Sequence, residues 1–147
     1  QVLGVYDANL TEVMARVLKN LGTERAFVVH GMDGLDEMTV TAKTKVTELK
    51  DGKIRTYYIS PVMFGLKKAR LEDIEGRDAK ENADIISSIL KGERGPRREI
   101  VLLNASAVLA AGFKAMDFRE GIALAEESID SGKALDVLSK LVELTKR

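Results

Sequence analysis

Apolar residues follow two different periods within the first 30 positions of the chain. Residues 2–6 are almost continuously apolar and predict a short buried strand. Leucine, valine and methionine then recur at positions 10, 13, 14, 17, 18 and 21, the spacing of one helix face, and Gly22 is placed to end that helix. Residues 26–30 form a second apolar run. Strand, helix and strand in this order predict a βαβ unit with parallel strands.

Two runs rich in threonine, valine, isoleucine and tyrosine come next, at residues 40–49 and 54–59. Between them stands the pair Asp51 and Gly52, and an Asp-Gly pair between β-rich runs is typical of a hairpin. The hairpin and the βαβ unit together predict a mixed sheet of at least four strands. Residues 65–76 are polar and irregular, with room for a short strand or turn at residues 71–74.

The second half of the chain is predicted to be helical in three or four pieces. Asp78 and Asp117 are each followed three residues later by glutamate and precede an amphipathic run, as in a capping box. Residues 97–111 are rich in alanine and leucine and predict a helix buried on most sides. Ser131 and Gly132 break the chain before a final helix. The predicted inner stripe of that last helix is Leu135, Leu138 and Val142.

These elements predict an α/β fold with a mixed, mainly parallel sheet, flanking helices and a β-hairpin. The chain has 147 residues, of which 45% are hydrophobic and 31% charged, a balance typical of folded domains. No internal repeat or linker divides it, so we expect one domain over residues 1–147.

Composition excludes several classes of function. The 23 basic and 23 acidic residues cancel, so no global field attracts nucleic acid or an anionic membrane. Without cysteine there is no disulfide, zinc thiolate or cysteine nucleophile, and the single histidine argues against a histidine metal cage. No apolar run approaches the roughly 20 residues needed to cross a bilayer. We therefore predict a cytoplasmic protein without membrane or nucleic-acid partners.

The segment that leaves the second strand, residues 30–37, is the candidate site. Ligands of parallel sheets bind beyond the carboxyl ends of the strands. Asp33, Asp36 and Glu37 lie in this glycine-containing segment, and such oxygen ligands suit Mg²⁺ bound together with substrate phosphates. Acids beside glycines are also common in solvated turns, and the residues alone favour that alternative. His30 could act as a general base or phosphate ligand, or as a hydrogen-bonded structural histidine.

Two further features have alternative interpretations. Residues 92–98 form a basic loop that leads into a helix N-terminus and could hold a phosphate. The absence of a GxxxxGK[ST] or GxGxxG pattern favours a simple turn with Pro96 beside the first helical turn. Asn104 lies within an apolar run, where a buried amide needs partners, and we predict that it ties two elements together.

Six segments of the chain carry a resemblance to a known family: QVLGVYD (1–7), RAFVVHGMDGLDEMT (25–39), TKVTELKDGKI (44–54), FGL (64–66), GERGPRREIVLLNASAVL (92–109) and SIDSGKALDVL (128–138). In this order they are similar to the C-terminal region of anthranilate phosphoribosyltransferases. The resemblance covers essentially the whole chain. The combination of HG, DGLDE and GPRR followed by LLNA is the specific part of it.

The resemblance implies a catalytic domain of the nucleoside phosphorylase and phosphoribosyltransferase type. It implies a glycosyltransferase of tryptophan biosynthesis that transfers a phosphoribosyl group from phosphoribosyl pyrophosphate to the amine of anthranilate and releases pyrophosphate. In this family the adjacent acids of the DGLDE motif help to bind Mg²⁺ with the pyrophosphate, which implies metal ligation by Asp36 and Glu37. No catalytic or substrate-binding residue of this chain is assigned.

Several family features are not found in the chain: a glycine-rich phosphate loop of the GTGGD type, a KHGN-like segment, the anthranilate-binding arginine and most of the helical domain used for dimerisation. We therefore expect the chain to be the C-terminal portion of a magnesium-dependent enzyme that forms a homodimer through its helical domain. We also expect that this portion is inactive alone. Two alternatives stay open, a nucleic-acid-binding relative of the same fold without transferase activity and a pyrimidine nucleoside phosphorylase.

Overall fold

The first half of the chain forms a sheet with one helix, and the second half forms a set of helices. A computed structural model describes residues 1–146. Short 3₁₀ helices at Pro61–Phe64 and Leu71–Asp73 connect the two halves. The elements are β1 (Val2–Gly4), α1 (Leu10–Asn20), β2 (Arg25–Gly31), β3 (Thr44–Lys50), β4 (Lys53–Ile59), α2 (Ala79–Leu90), α3 (Pro96–Ala111), α4 (Phe118–Asp130) and α5 (Lys133–Thr145).

The sheet has the order β1-β2-β3-β4, and β1 pairs with β2 in parallel, which confirms the βαβ unit. The mixed α/β fold with four strands is also confirmed. Within residues 1–146, however, the expectation of a mainly parallel sheet is wrong, because β2 with β3 and β3 with β4 are antiparallel pairs. No helix forms between Gly31, the last residue of β2, and Thr44, the first residue of β3. These two residues are paired in the sheet, so β3 begins beside the end of β2 and runs in the opposite direction.

The hairpin between β3 and β4 turns at the predicted Asp-Gly pair. Asp51 has φ 49° and Gly52 has φ 72°, the two positive values that match the twist of a tight two-residue hairpin. β3 begins at Thr44 rather than at residue 40. The Val40 carbonyl accepts a hydrogen bond from Ala69 N (3.0 Å), so this backbone pairs outside the sheet while the Val40 side chain enters the core.

Two predicted helix starts are confirmed by their caps. The Asp78 side chain accepts from Glu81 N at 2.8 Å, and Asp117 accepts from Glu120 N at 3.0 Å.

The predicted inner stripe of the last helix is only partly correct. Ala134 packs against the core, and Leu135 and Leu138 are partly buried, but Val142 is 41% exposed. All side chains from residue 139 to 146 are exposed, because α5 packs through its first turns only.

Helices cover the sheet on both faces, as in three-layer α/β domains. Every residue of β2 is buried, so this strand lies at the centre of the packing. On one face, the core cluster joins the sheet to α3 and α4 through Phe27, Val29, Leu102, Leu103, Phe118 and Ile122. On the other face, a smaller cluster joins it to α1 through Ala15, Leu18, Ala26, Val28 and Leu49. Among residues 1–146, no helix is long and apolar enough to span a bilayer.

Candidate functional site

The segment between β2 and β3 lies at the carboxyl ends of two parallel strands. Because β1 and β2 run in parallel, both end at the same edge of the sheet. Gly31 N donates to the Leu35 carbonyl at 2.7 Å, and Gly34 N donates to the Gly31 carbonyl at 2.9 Å. Gly34 adopts φ 101°, which side chains disfavour. The segment of residues 32–37, named here the acid loop, therefore folds back onto the strand ends.

Two strand-end glycines allow this close approach. A Cβ added to Gly4 would overlap the carbonyl group of Asp36, and one added to Gly31 would lie 2.5 Å from Asp33 Oδ1. The backbone of Asp36 thus rests directly on β1. Sequence reasoning did not single out Gly4, although a glycine inside a strand signals close approach of another backbone.

Asn104 fixes the far end of the acid loop to α3. Its Oδ1 accepts from Met38 N at 3.0 Å, while Nδ2 donates to the carbonyls of Met38 (2.7 Å) and Ile100 (3.0 Å). Both backbone polar groups of Met38 are thereby satisfied by one side chain. The prediction that Asn104 ties two elements together is confirmed. It joins α3 to Met38, the residue directly after Glu37.

Asp33 serves as a hydrogen-bond acceptor inside the loop. Its Oδ2 accepts from the hydroxyl groups of Thr39 (2.6 Å) and Thr41, and its Oδ1 accepts from Leu35 N at 3.3 Å. Partial burial would raise the pKa of Asp33, but these hydrogen bonds outweigh it and hold the pKa below its ordinary value. Thr39 and Thr41 were not singled out from the sequence, although short polar side chains near a turn commonly form such bonds.

Asp36 and Glu37 are exposed and are bound by no ion pair within residues 1–146. Although the Glu37 side chain reaches solvent, partial desolvation by the surrounding atoms, and then the nearby charges of Asp36 and Asp33, raise the pKa of Glu37 above its ordinary value. Glu37 therefore lies close enough to Asp36 and Asp33 for their charges to disfavour its ionised form. Over the described residues, no three or more acids and histidines form a cluster that could enclose a metal ion. Two free carboxylates at an open edge suit a cation that keeps positions for other ligands.

His30 is held as a structural residue. Its Nδ1 lies 2.8 Å from the Val5 carbonyl, which can only accept, so Nδ1 carries the proton. The side chain is 8% exposed and lies on the α1 face of β2. This geometry supports the structural alternative for His30 over the general base.

The arginines of residues 92–98 have intramolecular partners. Arg97 Nη2 donates to the Glu75 carbonyl at 2.6 Å, and Arg98 Nη2 lies 2.8 Å from Asp130 Oδ1. Arg94 Nη2 donates to Asp130 at 3.0 Å. The two contacts with Asp130 fix the start of α3 against the end of α4, and the Arg97 contact ties it to the segment before α2. These contacts support the turn alternative for residues 92–98.

The chain is similar to known proteins over nearly its whole length. Residues 1–135 match the family described as "Glycosyl transferase family, a/b domain". An anthranilate phosphoribosyltransferase from Thermoanaerobacter sp. (strain X514) is 56% identical over 147 residues, which are 100% of this chain and 44% of that protein. The chain thus spans less than half the length of this curated relative.

Solved structures show the same fold. The anthranilate phosphoribosyltransferase of Thermus thermophilus superposes with a TM-score of 0.86 and 38% identity, covering 95% of this chain and 41% of that one. The Saccharomyces cerevisiae enzyme, solved in complex with PRPP and Mg, has a TM-score of 0.83 and 33% identity, covering 94% and 40%. A nucleic-acid-binding relative is not favoured by these matches.

Proposed function

The chain belongs to the glycosyl transferase family, a/b domain, and we propose that it acts as part of an anthranilate phosphoribosyltransferase of tryptophan biosynthesis. The observation that carries this proposal is the 56% identity along all of its 147 residues to an enzyme of that name. The reaction would join the phosphoribosyl group of phosphoribosyl pyrophosphate to the amine nitrogen of anthranilate. Pyrophosphate would leave.

In this reaction the bond between the ribose C1 and the pyrophosphate oxygen breaks, and its electron pair departs with pyrophosphate. The amine lone pair forms the new C1–N bond, and the nitrogen then loses a proton. Positive charge develops on the sugar and negative charge on the leaving group, so groups positioned at the pyrophosphate end lower the barrier. No residue of this chain is assigned as the proton acceptor.

We propose Asp36 and Glu37 as ligands of Mg²⁺ at that end. The raised pKa of Glu37, caused by burial and then by the charge of Asp36, supports the fit, because a cation beside the pair would relieve their repulsion. Their exposure leaves space for phosphate oxygens, as Mg²⁺ sites in phosphoryl and pyrophosphoryl enzymes require. When bound, the metal would neutralise charge on the departing pyrophosphate.

The rest of the acid loop would serve to position these two carboxylates. Gly4 lets the Asp36 backbone lie on β1, Asn104 holds Met38, and Asp33 uses both carboxylate oxygens to gather the loop. A loop held at three points loses little entropy when its ligand arrives. The homodimeric assembly and the cytoplasmic location stay predictions.

A chimaera tests the proposed activity. The segment of the Thermoanaerobacter enzyme that matches this chain would be replaced by residues 1–147, which preserves the remainder of that relative. We expect the purified chimaera to consume anthranilate in the presence of phosphoribosyl pyrophosphate and Mg²⁺, followed as loss of anthranilate fluorescence.

The control replaces two exposed acids away from the acid loop, Asp84→Asn and Glu93→Gln, which form no ion pair within residues 1–146. This control should retain the rate of the chimaera. A chimaera that folds with the circular dichroism and melting behaviour of the parent enzyme, yet leaves anthranilate unchanged, would contradict the proposed function.

A further inference from the structure

A cavity of about 690 Å³ lies at the end of the sheet opposite to the acid loop. It opens where β2 begins, β3 ends and β4 begins, and the start of α4 forms its other wall. None of residues 30–38 lines it. The cavity is therefore separate from the site proposed for Mg²⁺, and a ligand bound in it would be independent of the proposed function.

Arg25 carries a buried charge into this cavity, and its pairing is loose. Its side chain is only 6% exposed, yet Nη2 lies 3.8 Å from Glu48 Oε1 and donates to the Met116 carbonyl at 3.2 Å. Within residues 1–146, Nε is buried and has no hydrogen-bond partner. In charge-assisted hydrogen bonds the donor nitrogen usually lies about 2.7 to 2.9 Å from the acceptor oxygen. A buried guanidinium with such long contacts retains capacity for a further acceptor.

The partners of Arg25 are equally loose. The Tyr57 hydroxyl donates to Glu48 Oε2 at 3.4 Å, at the long limit of a hydrogen bond. Burial first, and then the charge of Glu48, raise the pKa of Tyr57, so the phenol stays protonated and can donate. The cavity floor thus offers a cation and a hydroxyl donor that share one carboxylate.

Aromatic rings flank the same guanidinium. The Arg25 Cζ lies 5.4 Å from the Phe27 ring centroid and 5.6 Å from that of Phe113. Phe113 is 61% exposed and has φ 58°, a conformation that side chains rarely adopt. Met116, which lines the cavity, is 80% exposed. An apolar body could therefore pack beside the charge.

The mouth of the cavity is basic. Lys50, Lys53 and Arg55 line it, are exposed, and take part in no ion pair among residues 1–146. With Arg25 they make four basic lining residues against three acidic ones, and one of those acids, Asp117, already caps α4. The balance favours an anion.

We propose that this cavity binds a small organic anion with a planar apolar body, whose carboxylate contacts Arg25 and whose ring lies between Tyr57 and Met116. The carboxylate would accept from the Arg25 guanidinium and from the Tyr57 hydroxyl, which would turn from its long contact with Glu48 to the ligand. The lysines of the hairpin would add longer-range attraction.

The test is a titration of the isotope-labelled chain with benzoate, followed by amide chemical shifts, with benzamide as the neutral probe of the same shape. We expect saturable shifts at residues 48–57 and 116–118 and at Arg25 Nε, and none at residues 31–38. Equal shifts with benzamide, shifts confined to residues 31–38, or no saturable shift at all would overturn the proposal.

Two variants locate the charge that binds. Arg25→Met should abolish the benzoate shifts. Since this buried change could unfold the chain, the exposed pair Lys50→Ala with Lys53→Ala provides a second test and should weaken binding roughly threefold to tenfold. The matched control, Lys19→Ala with Lys80→Ala, removes two exposed lysines elsewhere and should leave the affinity unchanged. Equal affinities for both lysine pairs would contradict the site.

Discussion

The two ends of the central sheet are built in opposite ways. At the carboxyl ends of β1 and β2, backbone packs directly on backbone at Gly4, and Asn104 makes three hydrogen bonds of 2.7 to 3.0 Å. At the other end, Arg25 is buried with contacts of 3.2 and 3.8 Å and, among the described residues, one donor without a partner. Short contacts thus hold the acid loop with Asp36 and Glu37 in place, whereas the longer contacts of Arg25 lie beside a cavity.

This difference teaches where each end can change. Several short contacts hold the acid loop in one conformation. The carboxylates of Asp36 and Glu37 are therefore kept in position although, in the part of the chain that the structure describes, they form no ion pair themselves. The end of the sheet at Arg25 is held less firmly, because Arg25 Nε is buried without a hydrogen-bond partner among residues 1–146. Substitutions should therefore perturb the first end through packing and the second through charge.

The largest expected effect is at Gly4. The Cβ of Gly4→Ala would overlap the Asp36 carbonyl, and neither backbone can yield easily. We expect a loss of about 3 kcal/mol or more in the free energy of unfolding, measured by urea denaturation. The control Gly22→Ala has open space and only an unfavourable φ of 85°, so it should cost about 1 to 2 kcal/mol. Equal losses would show that the loop is not packed on β1.

The next effect is at Asn104. Asn104→Ala leaves both backbone groups of Met38 without their partner. We expect a loss of roughly 2 to 3 kcal/mol in the free energy of unfolding and faster hydrogen exchange at the Met38 amide. Asn9→Ala removes an exposed asparagine without a side-chain cap bond and should stay within about 0.5 kcal/mol. Unchanged hydrogen exchange at the Met38 amide would contradict the role of Asn104 in holding Met38.

A pH-dependent effect is expected at Asp33. Its folded pKa lies below the ordinary value of 3.8, so it contributes stability above that pH and loses this contribution as the pH falls through the lower folded value. Asp33→Asn should be less stable than the parent at neutral pH, and in urea unfolding series the two should converge only as the pH falls below 3.8 and through the lower folded pKa. Asp84→Asn, at an exposed site, should parallel the parent throughout. A gap that persists in acid would contradict the assignment.

The smallest effect concerns the looser end. Glu48→Gln removes the charge that, after burial, raises the pKa of Tyr57, so that pKa should fall toward its ordinary value while remaining raised by burial. Ultraviolet spectroscopic titration would follow it, with the 53% exposed Tyr58 as the internal reference. A Tyr57 pKa that stays where it was would show that Glu48 does not contact the phenol.

Local signals explain how much of this fold could be predicted. The βαβ unit, the hairpin at Asp51 and Gly52, and the caps at Asp78 and Asp117 each depend on residues close in sequence. These features were predicted correctly because period, turn chemistry and capping need no tertiary partner.

Contacts between distant residues explain what the sequence did not reveal. Residues 40–43 have strand composition, but Val40 pairs its carbonyl with Ala69 instead. The exposure of Val142 depends on how far α5 continues past its packing partners. At the candidate site, Asp36 and Glu37 could be named from their motif, whereas the contact of Gly4 with Asp36 joins residues 32 positions apart and required the structure.

The most direct test of the account measures the Mg²⁺ dependence of the chimaera after Asp36→Asn and Glu37→Gln together. These changes preserve shape and remove both charges. We predict a rate of anthranilate consumption roughly 100-fold lower, with a higher Mg²⁺ concentration needed for half-maximal rate and unchanged thermal stability. A variant that keeps the parental rate and Mg²⁺ dependence would contradict the role of the acid loop in binding the metal.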